Sequence, residues 1–143
     1  MIKAQTVKST FSRTTSVAAD INASADVVWA VLTNSQNYTS WNSTIISLDG
    51  EIKLGNTIKL VSKLDPKRTY KLKIKEFTPN TQLVWGDPMG KRTYQLEENS
   101  GITHFTMTEK IGGPIFPLFA NKIPSFDESF EQFANDLKKE AEK

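Results

Sequence analysis

Residues 16–21 alternate polar and apolar side chains, so that Val17, Ala19 and Ile21 share one side of an extended chain. The period then lengthens. Val28, Val31 and Leu32, with Trp29 nearby, form a helical face behind Ser24, a candidate N-cap, and Asp26, whose charge suits a first turn. Residues 34–41, rich in Asn, Ser and Gln, read as a short second helix or turn ending at Trp41-Asn42. Beyond them the period returns to two. Strands are expected over 44–48, 57–63, 69–77, 82–86, 91–97 and 102–110, separated by turn residues such as Asp49-Gly50, Asp65-Pro66 and Asn99-Ser100-Gly101. Connections this short favour antiparallel neighbours, because a parallel pair needs a long crossover.

The register is marked best by Tyr70, Leu72 and Ile74 alternating with Lys71, Lys73 and Lys75, since a half-buried strand keeps its ammonium groups in water. The same reasoning turns Ile58, Leu60, Leu83, Trp85, Tyr94, Leu96, Phe105 and Met107 inward, and Lys59, Gln82, Gln95, His104 and Thr106 outward. At the C-terminal end Phe116, Phe119, Ile123, Phe126, Phe130, Phe133 and Leu137 recur at spacings of three and four, which makes one helical stripe. Pro124 interrupts it, and Ser125 with Glu128 forms a capping-box pattern just beyond. A short helix within 115–121, a break, and a long helix over 126–142 are expected.

The order of elements, and three local motifs, resemble the START/Bet v 1-like superfamily, also described as SRPBCC or polyketide cyclase/dehydrase-related proteins. The motifs are Ile21-Asn22-Ala23-Ser24-Ala25-Asp26-Val27-Val28-Trp29, Tyr38-Thr39-Ser40-Trp41-Asn42, and Thr108-Glu109 ahead of Gly112-Gly113-Pro114 and the phenylalanine-bearing helix. The resemblance spans nearly the whole chain. It implies an α+β helix-grip fold over 1–143 as a single ligand-binding domain: a curved antiparallel sheet of about seven strands around a long C-terminal helix, with two short helices after the first strand. Its members include lipid carriers, hormone receptors, aromatase/cyclases and co-chaperone-like domains, so fold alone does not assign an activity.

A bent sheet and a long helix cannot touch along their full length, and the side chains expected to line the gap are Trp41, Tyr70, Trp85, Tyr94, Phe105, Met107, Phe119, Phe126 and Phe130. These are large apolar surfaces with a few polar tips, the usual lining of a small-molecule site; each aromatic taken singly is more simply explained as core, and the set together points to a cavity. Arg92 shares parity with Tyr94, and Glu109 with Met107, so two charges point inward at strand ends. They are candidates to orient a ligand's polar end or to assist a proton transfer, and the plainer reading is an ion pair at the mouth.

Composition narrows the alternatives. There is no cysteine, which removes disulfides, thiolate nucleophiles and cysteine zinc sites and suits a reducing, cytoplasmic setting. No Gly-x-Ser-x-Gly elbow, His-Glu-x-x-His, Walker loop or dinucleotide fingerprint occurs; no metal, cofactor or catalytic residue is expected, and His104, the only histidine, is expected to face solvent. The 18 basic and 16 acidic residues nearly cancel, so no overall field draws the chain to nucleic acid or anionic lipid, and the basic run 67–75 reads as a solvated strand face. No apolar stretch is long enough for stable membrane insertion. The expected partner is a small hydrophobic molecule, lipid, polyketide-like or aromatic; the alternatives are a cyclase/dehydratase-like enzyme and a co-chaperone-like interaction module, the last requiring an exposed apolar patch.

Overall fold

The computed structural model describes residues 2–143. Eight strands form one antiparallel curved sheet: β1 Ala4–Lys8, β2 Ser12–Ile21, β3 Ile45–Asp49, β4 Thr57–Ser62, β5 Tyr70–Thr78, β6 Gln82–Gly86, β7 Gly90–Asn99 and β8 Ile102–Gly112. Their spatial order is β1-β2-β8-β7-β6-β5-β4-β3. The strands after β3 follow a meander, and β2 closes the chain's first part against β8. Helices α1 Ala25–Thr33 and α2 Tyr38–Trp41, joined by a tight turn at Ser35–Asn37, lie between β2 and β3. Helix α3 Phe116–Phe119, a second tight turn at Ala120–Lys122, and α4 Asp127–Ala141 complete the chain.

The sheet has one strand more than the seven expected. β1 carries Gln5, Thr6 and Lys8 with only Val7 and Ala4 apolar, and Val7 is exposed, so it has no buried alternation to reveal it. What holds it is backbone pairing with β2, from Ala4↔Val17 to Lys8↔Arg13, and two bonds to α4: the Ala4 amide donates to Glu131 Oε2 at 2.8 Å and the Thr6 hydroxyl donates to Asp127. β2 also begins earlier than expected, at Ser12, with residues 13, 15, 17, 19 and 21 all buried.

Elsewhere the period-two reading places the inward face correctly. Ile58, Ile74, Leu83, Trp85, Tyr94, Phe105 and Met107 are at most 2% exposed. A bulge between Ile74 and Glu76 shifts the parity of β5, so that Phe77 rather than Glu76 continues the buried side and meets Trp29 of α1 edge-on at 5.2 Å. The extra residue is how the strand bends while keeping its apolar face inward.

Helix α4 lies along β2 and runs the length of the sheet. At its start Arg13 donates to the carbonyls of Ile123 and Pro124, and at its end Lys138 donates to the Asp20 carbonyl and Glu142 accepts from the Asn22 amide. The break at Pro124 falls where the sequence suggests. The capping box does not form: Phe126 occupies the N-cap position, and Ser125 Oγ accepts only a long bond, 3.3 Å, from the Asp127 amide. At α1, Ser24 is the N-cap residue, yet its hydroxyl donates to the Asp26 carboxylate instead of accepting from the helix backbone.

Strand directions sort the turns to two ends. One end, here the rim, gathers the turns β1–β2, β4–β5 and β6–β7 and the exit from β8; the other, the base, gathers β3–β4, β5–β6 and β7–β8. Two rim positions admit no side chain. A β-carbon on Gly86 would lie 2.4 Å from the Gly90 carbonyl oxygen, and one on Gly112 would lie 2.5 Å from that of Phe11.

Candidate functional site

Register pairs align the inward residues in rows across the sheet. One row near the rim runs Thr15, Glu109, Arg92, Trp85 and Ile74 over β2, β8, β7, β6 and β5. The next row toward the base runs Val17, Met107, Tyr94 and Leu83. Charge therefore enters the interior on the rim side, while the base side is hydrocarbon.

Arg92 and Glu109 are directly opposite across β7 and β8, and Arg92 Nε donates to Glu109 Oε1 at 2.6 Å. Each side chain is 18% exposed, so the pair sits at the edge of the interior rather than deep within it. Arg92 Nη1 lies 3.4 Å from the Tyr94 hydroxyl, a weak bond by distance. Burial alone would lower the Arg92 guanidinium, but Glu109 and Tyr94 outweigh it and hold the group above its usual value. Burial pushes the Tyr94 phenol up to about 12, with Arg92 opposing.

α4 supplies the facing surface. Phe126 and Phe130, one helical turn apart, stack with centroids 6.0 Å apart and planes within 10°. Each covers an arginine: the Arg13 guanidinium carbon lies 4.7 Å from the Phe126 centroid, and that of Arg92 lies 4.9 Å from Phe130. A cation over an aromatic face is attracted by the ring quadrupole, more so where water is partly excluded. Arg13 is thus a second inward cation, outside the alternation over residues 16–21 from which the strand is expected. Its parity with Val17, Ala19 and Ile21 was the available signal. Burial lowers the Arg13 guanidinium, and the charges of Glu109 and Asp127 offset this.

The other expected lining residues take up defined places. Trp85 meets Tyr94 edge-on at 5.0 Å, and Tyr94 lies 6.3 Å from Phe105 and 5.7 Å from Phe133. Met107 is fully buried in the same cluster. Trp41 packs against α4, 5.8 Å from Phe133 and 4.9 Å from Tyr38. Tyr70 is half-buried at the rim end of β5, with Arg68 over its ring at 4.5 Å and its hydroxyl 3.2 Å from Asp65 Oδ2; burial raises its phenol. Phe119 stands apart from the central cluster, half-buried, edge-on to Phe116 at 5.6 Å. Phe133 and Tyr38, at the centre of the ring contacts, are absent from the expected lining, although Phe133 belongs to the C-terminal stripe and Tyr38 opens the Trp41-Asn42 motif. Tyr38 donates to the Leu32 carbonyl at 2.5 Å, and burial holds its phenol well above the ordinary range.

Among the described residues, Arg13 Nε and Trp41 Nε1 are buried donors without a protein acceptor. A hollow of about 400 Å³ opens beside Arg13, between β1–β2 and the segment joining α3 to α4, with Thr6, Phe116, Ile123 and Asp127 on its walls. His104 faces outward, its Nδ1 2.8 Å from Asp20 Oδ1. No helix among the described residues is long and apolar enough to cross a membrane.

No curated protein matches the sequence. Among solved structures, a conserved protein of unknown function from Enterococcus faecalis superposes with a TM-score of 0.70 at 14% identity, over 95% of this chain and 75% of that one. A protein from Rhodobacter sphaeroides gives a TM-score of 0.69 at 19% identity, over 94% and 95% of the two chains. DynU16, a putative protein in the dynemicin biosynthetic locus, gives 0.64 at 15% identity, over 87% of this chain but 45% of its own. At such identities the likeness establishes the fold alone, in agreement with the sheet and C-terminal helix derived above. Residues 12–142 match the family described as polyketide cyclase / dehydrase and lipid transport, a span running from β2 through α4, and the chain belongs to that family.

Proposed function

We propose that the protein binds a small, largely apolar molecule with an acceptor-rich polar end, lipid, polyketide-like or aromatic, between the rim half of the sheet and the first turns of α4. The observation that carries this reading is the layered arrangement of Phe126 and Phe130 over Arg13 and Arg92, with Glu109 opposite Arg92 and both members of that pair still partly accessible. Aromatic faces offer apolar area, and the guanidinium groups offer fixed donors that would orient a carbonyl or carboxylate. Arg13 Nε adds a buried donor with no protein partner. The hollow beside Arg13 supports access from the rim, past the α3–α4 junction. The family's description, which joins polyketide chemistry to lipid transport, supports the same ligand class.

Native mass spectrometry of gently purified protein, followed by titration with an anilinonaphthalene sulfonate dye, tests this. A retained small molecule or saturable dye binding is expected, and Arg92→Gln should weaken dye binding roughly tenfold, the value of one charged hydrogen bond. Absence of both, or binding indifferent to Arg92, would remove the basis for the reading.

A second reading is favoured by the inward position of Glu109 beside Tyr94 and Arg92. In a cyclase-type reaction a bound chain is folded by the apolar walls while Glu109 accepts a proton from an acidic carbon or hydroxyl of the substrate. Glu109→Gln would then abolish turnover while sparing binding; unchanged turnover would take Glu109 out of the chemistry.

A further inference from the structure

The near-cancellation of charge along the sequence conceals a spatial division. Residues 7–13, 63–69, 86–92 and 109–128 all lie at or next to the rim and hold nine of the eighteen basic residues but five of the sixteen acidic ones. The rest of the chain therefore carries nine basic against eleven acidic residues. Seven of the nine rim cations are exposed, the exceptions being Arg13 and Arg92. Four of the five rim acids are engaged: Asp87 Oδ1 accepts the amides of Met89 and Gly90, Asp65 accepts from Tyr70, Glu109 from Arg92 and Asp127 from Thr6. Lys91 and Lys110 face each other directly across β7 and β8, an arrangement that costs stability in isolation.

The same end carries the exposed apolar side chains. Val7, Phe11, Leu64, Met89, Ile115 and Leu118 are six of the ten large hydrophobic residues exposed among those described, with Leu118 80% and Ile115 61% accessible. They stand singly or in pairs on four separate segments rather than forming one continuous face. Such tips suit a soft interface that each can enter on its own, whereas a protein partner needs a continuous complementary surface.

From this placement we propose that the rim is a docking surface for anionic lipid bilayers, with the apolar tips entering the headgroup region and the surrounding lysines and arginines held against lipid phosphate and carboxylate. Docking is peripheral and reversible, because the apolar side chains are few and short compared with a spanning segment. It presents to the bilayer the end at which the hollow beside Arg13 opens, and it stands whatever the interior binds.

The test is flotation of the full chain with vesicles of phosphatidylcholine alone and of phosphatidylcholine mixed with phosphatidylserine, at low and high salt. The chain should float with the mixed vesicles and be released by salt. Reversing Lys91 and Lys110 to Glu should weaken partitioning by about fivefold or more per residue, each cation near such a surface contributing about that factor. Ile115→Ser with Leu118→Ser should also weaken it, with no change in thermal unfolding because both side chains are exposed. Equal partitioning to neutral vesicles, or none to either, overturns the proposal. So does sedimentation showing a dimer that the Ile115→Ser/Leu118→Ser variant dissolves, since the tips would then be covered by a second copy.

Discussion

The two halves of the interior under α4 are built from similar rings but differ in what surrounds them. Toward the base, Phe133, Ala134, Leu137 and Ala141 share one buried cluster with Trp29, Leu32 and Tyr38, whose hydroxyl bonds the Leu32 carbonyl. Toward the rim, Phe126 and Phe130 meet two guanidinium groups and a carboxylate that retain contact with solvent. The first region has the composition of a load of hydrocarbon whose loss is felt as stability. The second spends part of its packing on charges that an apolar residue of the same volume would replace at little cost to folding, which fits the binding role proposed for it.

Four measurements sharpen or break that contrast. Phe133→Ala should have the largest effect, about 3–5 kcal/mol off the unfolding free energy in a urea titration, because a fully buried ring leaves a cavity. If the half-buried Phe126 cost as much when cut to Ala, the distinction between the halves would fail. Glu109→Gln comes next, at about 1–3 kcal/mol, since it leaves the Arg92 guanidinium short of a charged acceptor. Combining it with Arg92→Met should restore much of the loss in a double-mutant cycle, and purely additive losses would show that the pair is not coupled.

The third measurement is pH dependence. The Tyr94 phenol titrates at about 12 in the folded chain against an ordinary value of 10.0, so the native state holds its proton more tightly than the unfolded one. That contribution is fully present below pH 10.0 and is lost as the pH rises toward about 12. Tyrosinate absorbance should lag an unfolded control through that window, and urea stability should fall across it. The smallest effect belongs to the surface pair His104–Asp20, more than half exposed on both sides: His104→Ala should change stability by no more than about 0.5 kcal/mol.

The contrast also explains which parts of the site were readable in the sequence. Strands with one dry face wrote themselves as alternation, and Trp85, Tyr94, Phe105 and Met107 followed from parity alone. β1 was silent because it buries little and is held by main-chain pairing, which any sequence can supply. Arg13 was missed for a related reason. An arginine ahead of an alternating run looks like a solvated terminus until the strand is known to extend to Ser12, and what keeps it inside, the Ile123 and Pro124 carbonyls and the Phe126 ring, lies more than a hundred residues away in the chain. Ser125 and Glu128 matched a capping pattern, but the turn after Pro124 places Phe126 at the N-cap, where its ring can reach Arg13. The charge total was correct and uninformative, because only folding brings four separated basic stretches to one end.

Gly86 and Gly112 leave no room for even a methyl group where the β6–β7 hairpin closes and where β8 passes Phe11. A substitution at either would prise apart the neighbouring strands at the rim. Variation at this end of the molecule is thereby channelled to positions such as 89, 115 and 118, whose side chains are free to change identity while the backbone beneath them stays fixed. The contacts proposed for those tips can therefore be altered without disturbing the architecture that presents them.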